Sequence, residues 1–162
     1  MNALLKLGQS ITRREDQRFL TGKGRYTDNT APHETLTALF VRSPHAHARI
    51  AGIDKAAALA SPGVVAIYTA EDTAADKLGH LPTISEIKDE AGNRHREPAH
   101  LPMPIGKVRH VGDIVAMIVA GTLEQARDAA DVLAVDYEEL PAVVTVAQAL
   151  AADAPLVHDD VP

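Results

Sequence analysis

Two histidines at alternating positions are the first residues of this sequence that could do chemistry. His45 and His47 fall within the run 45–53, which has the character of a strand, so both side chains would point to one face. That is the geometry of a two-histidine metal pair, but a metal site needs a third and usually a fourth ligand. The remaining histidines are scattered, and Pro44 favours a bend here. The sequence therefore favours structural hydrogen bonds for this pair over metal binding.

Other chemical motifs are incomplete. Gly106-Lys107 resembles the end of a phosphate-binding loop, but Leu101 stands where the first glycine of that loop belongs. Gly22 and Gly24 begin a dinucleotide-type G-x-G, yet no third glycine follows and no strand precedes them. The adjacent acidic pairs diverge, as solvated carboxylates do: Glu138-Glu139 and Asp159-Asp160. The sequence thus predicts no catalytic, cofactor-binding or metal-binding residue in this chain.

Composition narrows the classes of function. The 162 residues include no cysteine, which removes disulfides, thiolate zinc sites, cysteine-ligated iron–sulfur clusters and a thiol nucleophile. A net charge of −6 argues against nucleic acid as a partner, because phosphates demand a basic surface. No apolar run approaches the ~18 residues of a membrane helix, and the apolar part of the N-terminus is too short for a signal peptide. We expect a soluble, cytoplasmic protein without a membrane span.

The elements that would position any site are clearest between residues 113 and 139. The run 114–120 is continuously apolar and rich in Ile and Val, which predicts a strand buried on both faces. Thr122 followed by Gln125 is a capping-box pattern that starts a helix. That helix should bury one stripe of side chains, namely Leu123, Ala126, Ala130 and Leu133. Alternation then resumes to Pro141, so the order is strand, helix, strand.

The rest of the chain predicts shorter elements around this unit. Strands are expected at 36–42, 45–53 and 64–69, with short helices after Asp54, from residue 70 and after Thr145. A proline-rich insertion at 74–107 interrupts the pattern, with a turn at 91–93. We therefore divide the chain into an N-terminal arm at 1–35, a domain at 36–151, and a linker at 152–162 leading to a further domain. The fold class is α+β, with a mixed sheet and short flanking helices.

Four stretches resemble one family, the molybdenum-cofactor hydroxylases, which comprise xanthine dehydrogenases, aldehyde oxidases and aerobic carbon monoxide dehydrogenases. The similarity is to the α/β hammerhead domain at the N-terminus of their large, molybdenum-binding subunit. The matching stretches follow each other in family order: the arm with Arg13, Glu15, Asp16, Arg18, Leu20, Gly22, Tyr26 and Asp28; the run 42–50; Pro62-Gly63-Val64-Val65; and 112–144 with its Tyr137-Glu138-Glu139-Leu140-Pro141 ending.

The resemblance implies a parent oxidoreductase rather than an active site in this chain. In the family, the glycine-rich loops that hold the molybdenum pyranopterin and the glutamate general base lie in later domains, and no residue here corresponds to them. The implied partners are the downstream molybdenum-binding domains and the iron–sulfur and flavin subunits that receive electrons. The main hypothesis is a non-catalytic domain of such a large subunit. The alternatives are a stand-alone interaction module with the same fold, and a small-molecule binding domain with 74–107 as a lid.

The arm is the one place where the sequence predicts a functional surface. Between residues 8 and 28 it mixes dense charge with large apolar side chains, which a free tail would not need. Arginines and aromatic residues are enriched at interfaces. We expect an ordered arm rather than a packed helix, docked partly on its own domain and partly on another domain or subunit of the parent complex. Its five candidate interface residues are Arg13, Arg18, Phe19, Leu20 and Tyr26.

Overall fold

The computed structural model describes residues 8, 13–30, 32–82, 87–88, 90–94 and 97–159. The chain divides into two compact units, Met1–Thr35 and Leu36–Pro162. The first contains the short helix α1 (Asp16–Leu20) and one 3-10 turn (Thr27–Asn29). The second contains, in chain order, β1 (Thr37–Arg42), β2 (Ala48–Asp54), α2 (Ala56–Leu59), β3 (Val64–Thr69), α3 (Ala70–Ala75), β4 (Lys107–Val108), β5 (Ile114–Ala120), α4 (Leu123–Asp131), β6 (Ala134–Glu139) and α5 (Val146–Ala149).

The six strands form two antiparallel sheets of three strands each. Sheet A has the order β1-β5-β3, and sheet B has the order β4-β2-β6. β1 and β2 follow each other along the chain but enter different sheets, and so do β5 and β6 on either side of α4. The sequence predicted the α+β hammerhead class, which is confirmed, but in place of one mixed sheet the strands are all antiparallel and lie in two sheets.

Local capping explains why the helices begin where they do. The Thr122 hydroxyl accepts a hydrogen bond from the Gln125 backbone N–H at 3.2 Å, and the Gln125 side chain accepts one from the Thr122 backbone N–H at 3.0 Å. The same reciprocal pair joins Thr145 and Gln148 at the start of α5. Both helix starts are confirmed, since each box satisfies backbone N–H groups that have no partner within the helix.

The larger core lies between sheet A and the helices on one side of it. Ile118, at the centre of β5, is fully buried and lies opposite Leu39 of β1 and Ile67 of β3. Ala126 and Ala129 of α4 close the core, and the exposed helix face carries the charged side chains Glu124, Arg127, Asp128 and Asp131. A second, smaller cluster joins the two sheets through Val115, Val108 and Ala48.

Two details of the predicted packing are corrected. The buried stripe of α4 consists of Ala126 and Ala129, whereas Leu123, Ala130 and Leu133 are only partly buried. β5 was expected to be buried on both faces, but Met117 and Val119 on the face away from α4 remain partly exposed. The two leucines determined which side of the helix was predicted to be buried. Alanines occur at positions 126, 129 and 130, and their weak hydrophobicity does not single out one side.

The predicted insertion and linker hold little regular structure within the described residues. α3 runs to Ala75, and Lys88 forms an isolated antiparallel bridge with Arg94 around the predicted turn, where Gly92 has a φ of +83°. The backbone N–H of Leu81 donates to the carbonyl of His100 at 2.8 Å. Parts of these segments lie outside the described residues, namely 83–86, 89, 95–96 and 160–162, as do 1–7, 9–12 and 31 of the predicted arm.

Asp72 at the start of α3 gives the fold a pH-dependent contact. Its carboxylate accepts hydrogen bonds from the Thr69 backbone N–H at 2.7 Å and the Thr69 hydroxyl at 3.1 Å, and lies 3.4 Å from the Lys55 ammonium. The backbone bond from Thr69 is the main cause that holds the pKa of Asp72 below its ordinary value, with the hydroxyl and Lys55 adding to it against desolvation. The ionised form is therefore the one the folded state prefers.

Replacing Asp72 by asparagine is expected to make stability less dependent on pH. A carboxyl whose pKa is lowered by folding stabilises the protein above its unfolded pKa of about 3.9, and that contribution is lost as pH falls through the folded pKa. Urea unfolding at pH 7 and at about pH 3 should therefore show a larger loss for the native chain than for Asp72→Asn. Asp76→Asn, four residues along, is the control and should follow the native chain. Equal pH dependence in all three proteins would show that Asp72 contributes nothing.

Candidate functional site

Of the candidate interface residues of the arm, Arg13 precedes α1, Tyr26 follows it, and the other three lie on it. Phe19 and Tyr26 stack with ring centroids 5.5 Å apart and an angle of 8° between the planes. The Arg18 guanidinium lies 5.3 Å from the centre of the Phe19 ring, which is cation–π distance. Leu20 is 87% exposed and Tyr26 64% exposed. The structure thus brings Arg18, Phe19 and Tyr26 into one stack, and leaves Leu20 and Arg13 on the surface outside it.

The stack depends on the glycines around it. A Cβ on Gly24 would lie 2.8 Å from the Phe19 ring, closer than side chains tolerate. Gly22 has a φ of +70°, a conformation that suits glycine, and its N–H donates to the Phe19 carbonyl at 3.1 Å. The 3-10 turn that follows is tied by the Tyr26 N–H donating to the Asn29 side chain at 3.2 Å. The sequence shows these glycines only as an incomplete dinucleotide motif, whereas in the structure Gly24 makes room for the Phe19 ring and Gly22 adopts a positive φ.

Two of the other family-like stretches, 42–50 and 112–144, meet where the chain passes from sheet A to sheet B. The Ser43 N–H donates to the Asp113 carbonyl at 2.8 Å, and the Gly112 N–H donates back to the Ser43 carbonyl at 2.9 Å. The Arg42 guanidinium also donates to the Gly112 carbonyl at 2.8 Å. At the other end of the crossing, the Leu140 N–H donates to the His47 carbonyl at 2.9 Å. These contacts hold the ends of β1, β5 and β6 together.

Asp113 was not singled out from the sequence, although it organises this crossing. One of its carboxylate oxygens accepts hydrogen bonds from the backbone N–H groups of Arg109 at 2.6 Å and His110 at 3.3 Å. Its other oxygen lies 2.9 Å from the His110 ring. The signal that could have found it is the pair Gly112-Asp113 directly before the apolar run, because glycine and aspartate both favour turns.

The two histidines lie before the strand that was predicted to carry them. β2 begins at Ala48, after both histidines, so the alternation that would place them on one face does not apply. His47 is buried and donates from Nδ1 to the Pro141 carbonyl at 2.8 Å. His45 lies beside Tyr137 at 4.7 Å between ring centroids and 3.4 Å from the Glu139 carboxylate. The predicted structural role is confirmed, and the strand start predicted at His45 is wrong by three residues.

The surroundings of Tyr137 are those of a structural residue. Burial raises the pKa of the Tyr137 phenol above its ordinary value, against a hydrogen bond with Ser43 that lowers it. A phenol with a raised pKa stays protonated near neutral pH and is a poor general base. Its side chain packs against the His45 ring and hydrogen-bonds with Ser43, where the chain passes between the two sheets.

One cavity lies between β2, α3 and the segment 104–106. It holds about 380 Å³ and is lined mainly by apolar groups, including Ile50, Ile53 and Val115. Its charged groups are Lys55 and Glu71 at the rim, and Lys55 already pairs with Asp72. The volume suits a small ligand, but a binding site also needs several converging polar groups, which this lining does not offer.

A second cavity of about 250 Å³ lies beside the crossing and is lined by more ionisable side chains. Its lining includes His100, Arg109, His110, Asp113 and His158. The Arg109 side chain donates to the Lys107 carbonyl at 3.1 Å, and Asp113 is committed to the turn described above. Lys107, which formed the incomplete phosphate-loop motif, pairs with Asp159 at 2.7 Å.

These groups do not fit a molybdenum cofactor or another metal. Across the described part of the chain, no three His, Asp or Glu side chains stand close enough together to hold an ion. Buried side-chain nitrogens without a hydrogen-bond partner among the described residues are Nε2 of His47 and Nε of Arg109, and neither belongs to a ligand set. That the chain binds no metal or pterin stays a prediction. No described helix has the length and hydrophobicity to cross a membrane.

Comparison with known proteins identifies the fold and its family. The family profile for "Aldehyde oxidase and xanthine dehydrogenase, a/b hammerhead domain" matches residues 21–141. The carbon monoxide dehydrogenase large chain of Hydrogenophaga pseudoflava is 40% identical over 147 residues, which is 91% of this chain and 17% of that protein. The xanthine dehydrogenase molybdenum-binding subunit of Escherichia coli O157:H7 is 37% identical over 143 residues, covering 86% of this chain and 18% of that subunit.

A solved structure gives the same result. The Cu,Mo-CO dehydrogenase in its carbon monoxide reduced state superimposes with a TM-score of 0.79 at 39% identity, covering 96% of this chain and 18% of that one. The chain therefore spans less than a fifth of the length of the relatives that it matches. It belongs to the aldehyde oxidase and xanthine dehydrogenase family, as an α/β hammerhead domain of the kind found in the large subunits of molybdenum hydroxylases.

Proposed function

We propose that this chain serves as a non-catalytic domain of a molybdenum hydroxylase large subunit. The observation that carries the proposal is the coverage: 91% of the chain aligns with only 17% of a carbon monoxide dehydrogenase large chain. The described residues offer no nucleophile–base pair, no metal ligand set and no glycine-rich phosphate loop. We therefore assign this domain a structural role in an enzyme whose catalytic residues lie elsewhere in the polypeptide.

The parent enzyme that this implies is a cytoplasmic oxidoreductase. By its resemblance to the family, it would hydroxylate carbon with oxygen derived from water at a molybdenum pyranopterin, and pass electrons to iron–sulfur and flavin partners. The pyranopterin supplies the redox chemistry when it is bound in the molybdenum-binding domains. This chain's own residues take no step in that chemistry, and its contribution is to pack against those domains and hold them in place.

The test is to recover the native protein from its source cells with an antibody raised against this chain. We expect a polypeptide several times longer than 162 residues, or a stable complex with one, that carries molybdenum, iron and flavin by elemental and fluorescence analysis. The recombinant chain alone should carry none of the three, which is the matched control. A free chain of this length without those partners would instead support the stand-alone interaction module.

We propose further that the arm is part of an interface in that parent enzyme. The arm carries one cation, Arg18, and three large apolar side chains, namely Phe19, Leu20 and Tyr26. No residue of α1 is buried. Covering such side chains with a partner lowers the free energy of the complex, because apolar surface is removed from water. Our first candidate for the partner is the iron–sulfur subunit, because electrons leave the large subunit in that direction.

Hydrogen exchange on the isolated chain tests the arm. The amides of residues 18–26 should exchange much faster than those of the unit 114–137, because no described side chain of this segment is buried. Adding the partner subunit should slow exchange in the arm and leave the central unit unchanged. Protection in the arm equal to that of β5 in the isolated chain would show that the arm belongs to the core and is no interface.

A further inference from the structure

The face of sheet A that points away from α4 is apolar across all three strands. Phe40 of β1 and Tyr68 of β3 lie directly opposite Met117 of β5, and together they form one row. The next row on this side, two residues along each strand, consists of Ala38, Val119 and Ala66. Facing residues in an antiparallel pair share one side of the sheet, and successive residues alternate between sides. Both rows therefore lie opposite the side that Ile118 and α4 occupy.

These six residues, which we call the outer face, are incompletely covered. Phe40 is 45% exposed and Tyr68 is 40% exposed, and Met117, Val119 and Ala66 are only partly buried. No charged side chain stands among them. The Arg42 guanidinium lies at the rim, 5.9 Å from the centre of the Phe40 ring. Large contiguous apolar patches on a protein surface mark sites where something else binds.

Sheet B shows what a solvated face looks like in this same chain. Its outward positions carry Arg49 directly opposite Glu138, with the exposed Asp136 next to them. Antiparallel sheets with one wet face alternate apolar and polar residues in this way. β5 and its neighbours in sheet A do not alternate, because both sides of the sheet carry apolar residues. The composition of sheet A is that of a sheet covered on both faces.

The lengths of the relatives indicate what covers it. In both the H. pseudoflava large chain and the E. coli subunit, more than four-fifths of the polypeptide lies outside the segment that this chain matches. We propose that the outer face of sheet A is the surface on which this domain docks against that remaining, molybdenum-binding part of the large subunit, which would present an apolar surface to it. This inference rests on the proposed function and adds the surface through which it works.

The experiment replaces the matching segment of the H. pseudoflava large chain by this chain and compares the chimera with the isolated chain. Hydroxyl-radical footprinting reads the exposure of Phe40, Met117 and Tyr68 directly. We expect strong labelling at Phe40 and Tyr68 in the isolated chain and a several-fold loss of labelling in the chimera. The substitutions Phe40→Glu and Tyr68→Glu should leave the isolated chain folded by circular dichroism and abolish recovery of the chimera as a single species.

Val132→Glu is the matched control, because Val132 is 48% exposed and directly follows α4, on the opposite side of sheet A. That variant should assemble normally in the chimera. A chimera that assembles while Phe40 and Tyr68 stay as accessible as in the isolated chain would overturn the docking surface and leave the proposed function intact. A native chimera that never assembles would contradict the proposed function and the docking surface together.

The same measurements distinguish two other possible occupants of the outer face from the proposed one. If Phe40 and Tyr68 are already protected in a monomeric isolated chain, a segment of this chain covers the face. If the isolated chain dimerises and Phe40→Glu makes it monomeric, a second copy is the occupant. Either result overturns the proposal, whereas a labelled face in a monomeric chain that becomes protected in the chimera supports it.

Discussion

Replacing Ile118 by alanine is expected to lower the free energy of unfolding by about 2–5 kcal/mol, because it empties the centre of the larger core. Ile118 is fully buried between its neighbours Leu39 and Ile67 and the alanines of α4. Those alanines cannot reach into the space, so the cavity will not collapse. Ile118→Val should cost only about 0.5–1.5 kcal/mol. Chemical denaturation followed by circular dichroism measures both values.

The control for this experiment is an apolar side chain of similar type outside the core. Val146 in α5 is 76% exposed, and Val146→Ala should change the free energy of unfolding by no more than about 0.5 kcal/mol. If Ile118→Ala cost as little as Val146→Ala, the helix would not pack over the centre of sheet A, and the core would have to lie elsewhere.

Replacing Gly63 by alanine is the second change with a large expected effect. Gly63 has a φ of +78°, and an added Cβ would overlap the amide of the Gln125 side chain. Alanine in that backbone conformation costs about 1–2 kcal/mol. Displacing Gln125 breaks the box that starts α4, which adds about 1 kcal/mol. We expect a total loss of about 2–3 kcal/mol in chemical denaturation.

Two variants separate the contributions to this loss. Gly112→Ala meets the same backbone strain at a φ of +94°, but its Cβ would have no neighbour within 4 Å, so it should cost only the strain. Gln125→Ala removes the cap alone, and in that background Gly63→Ala should cost less than in the native chain, because the two sites are coupled. A Gly63→Ala variant no less stable than Gly112→Ala would show that Gln125 moves aside freely.

Those features of the fold that depend on neighbouring residues were predictable from the sequence. α4 begins at its predicted cap because Thr122 and Gln125 satisfy each other within one turn. β3 and β5 run between the residues predicted for them, 64–69 and 114–120, because each is a continuous apolar run ended by polar or glycine residues. In both cases the information lies within about ten residues of sequence.

Pairing between distant strands was not predictable in the same way. Nothing in the sequence of β5 and β6 says that they enter different sheets, because partner choice depends on contacts between Ala120 and Thr37, or Tyr137 and Ile50. The alternation before β2 was taken too far towards the N-terminus for a related reason. The Ser43 hydroxyl accepts the His45 N–H at 3.0 Å and holds a bend that a periodic pattern does not reveal.

The candidate site was likewise predictable only where it depends on residues close together in the sequence. The residue types of the arm predicted an ordered, interface-like segment, but not the stack of Phe19 on Tyr26, which needs the missing side chain of Gly24. The outer face of sheet A could not be recognised at all, because Phe40 and Tyr68 become neighbours only through Met117. Apolar residues on a strand look the same in sequence whether the domain's own core or another domain covers them.

The order of strands in the two sheets has a consequence for how the protein is made. None of β1, β2 and β3 pairs with another of the three, since every ladder joins one of them to β4, β5 or β6. A ribosome therefore releases the first three strands before any partner exists, and folding must wait for residues 107 onwards. Topologies with such distant contacts fold slowly and expose strand edges to aggregation. We expect this chain to need protection during synthesis, and point substitutions in β5 to reduce its soluble yield more than those in β1 or β3.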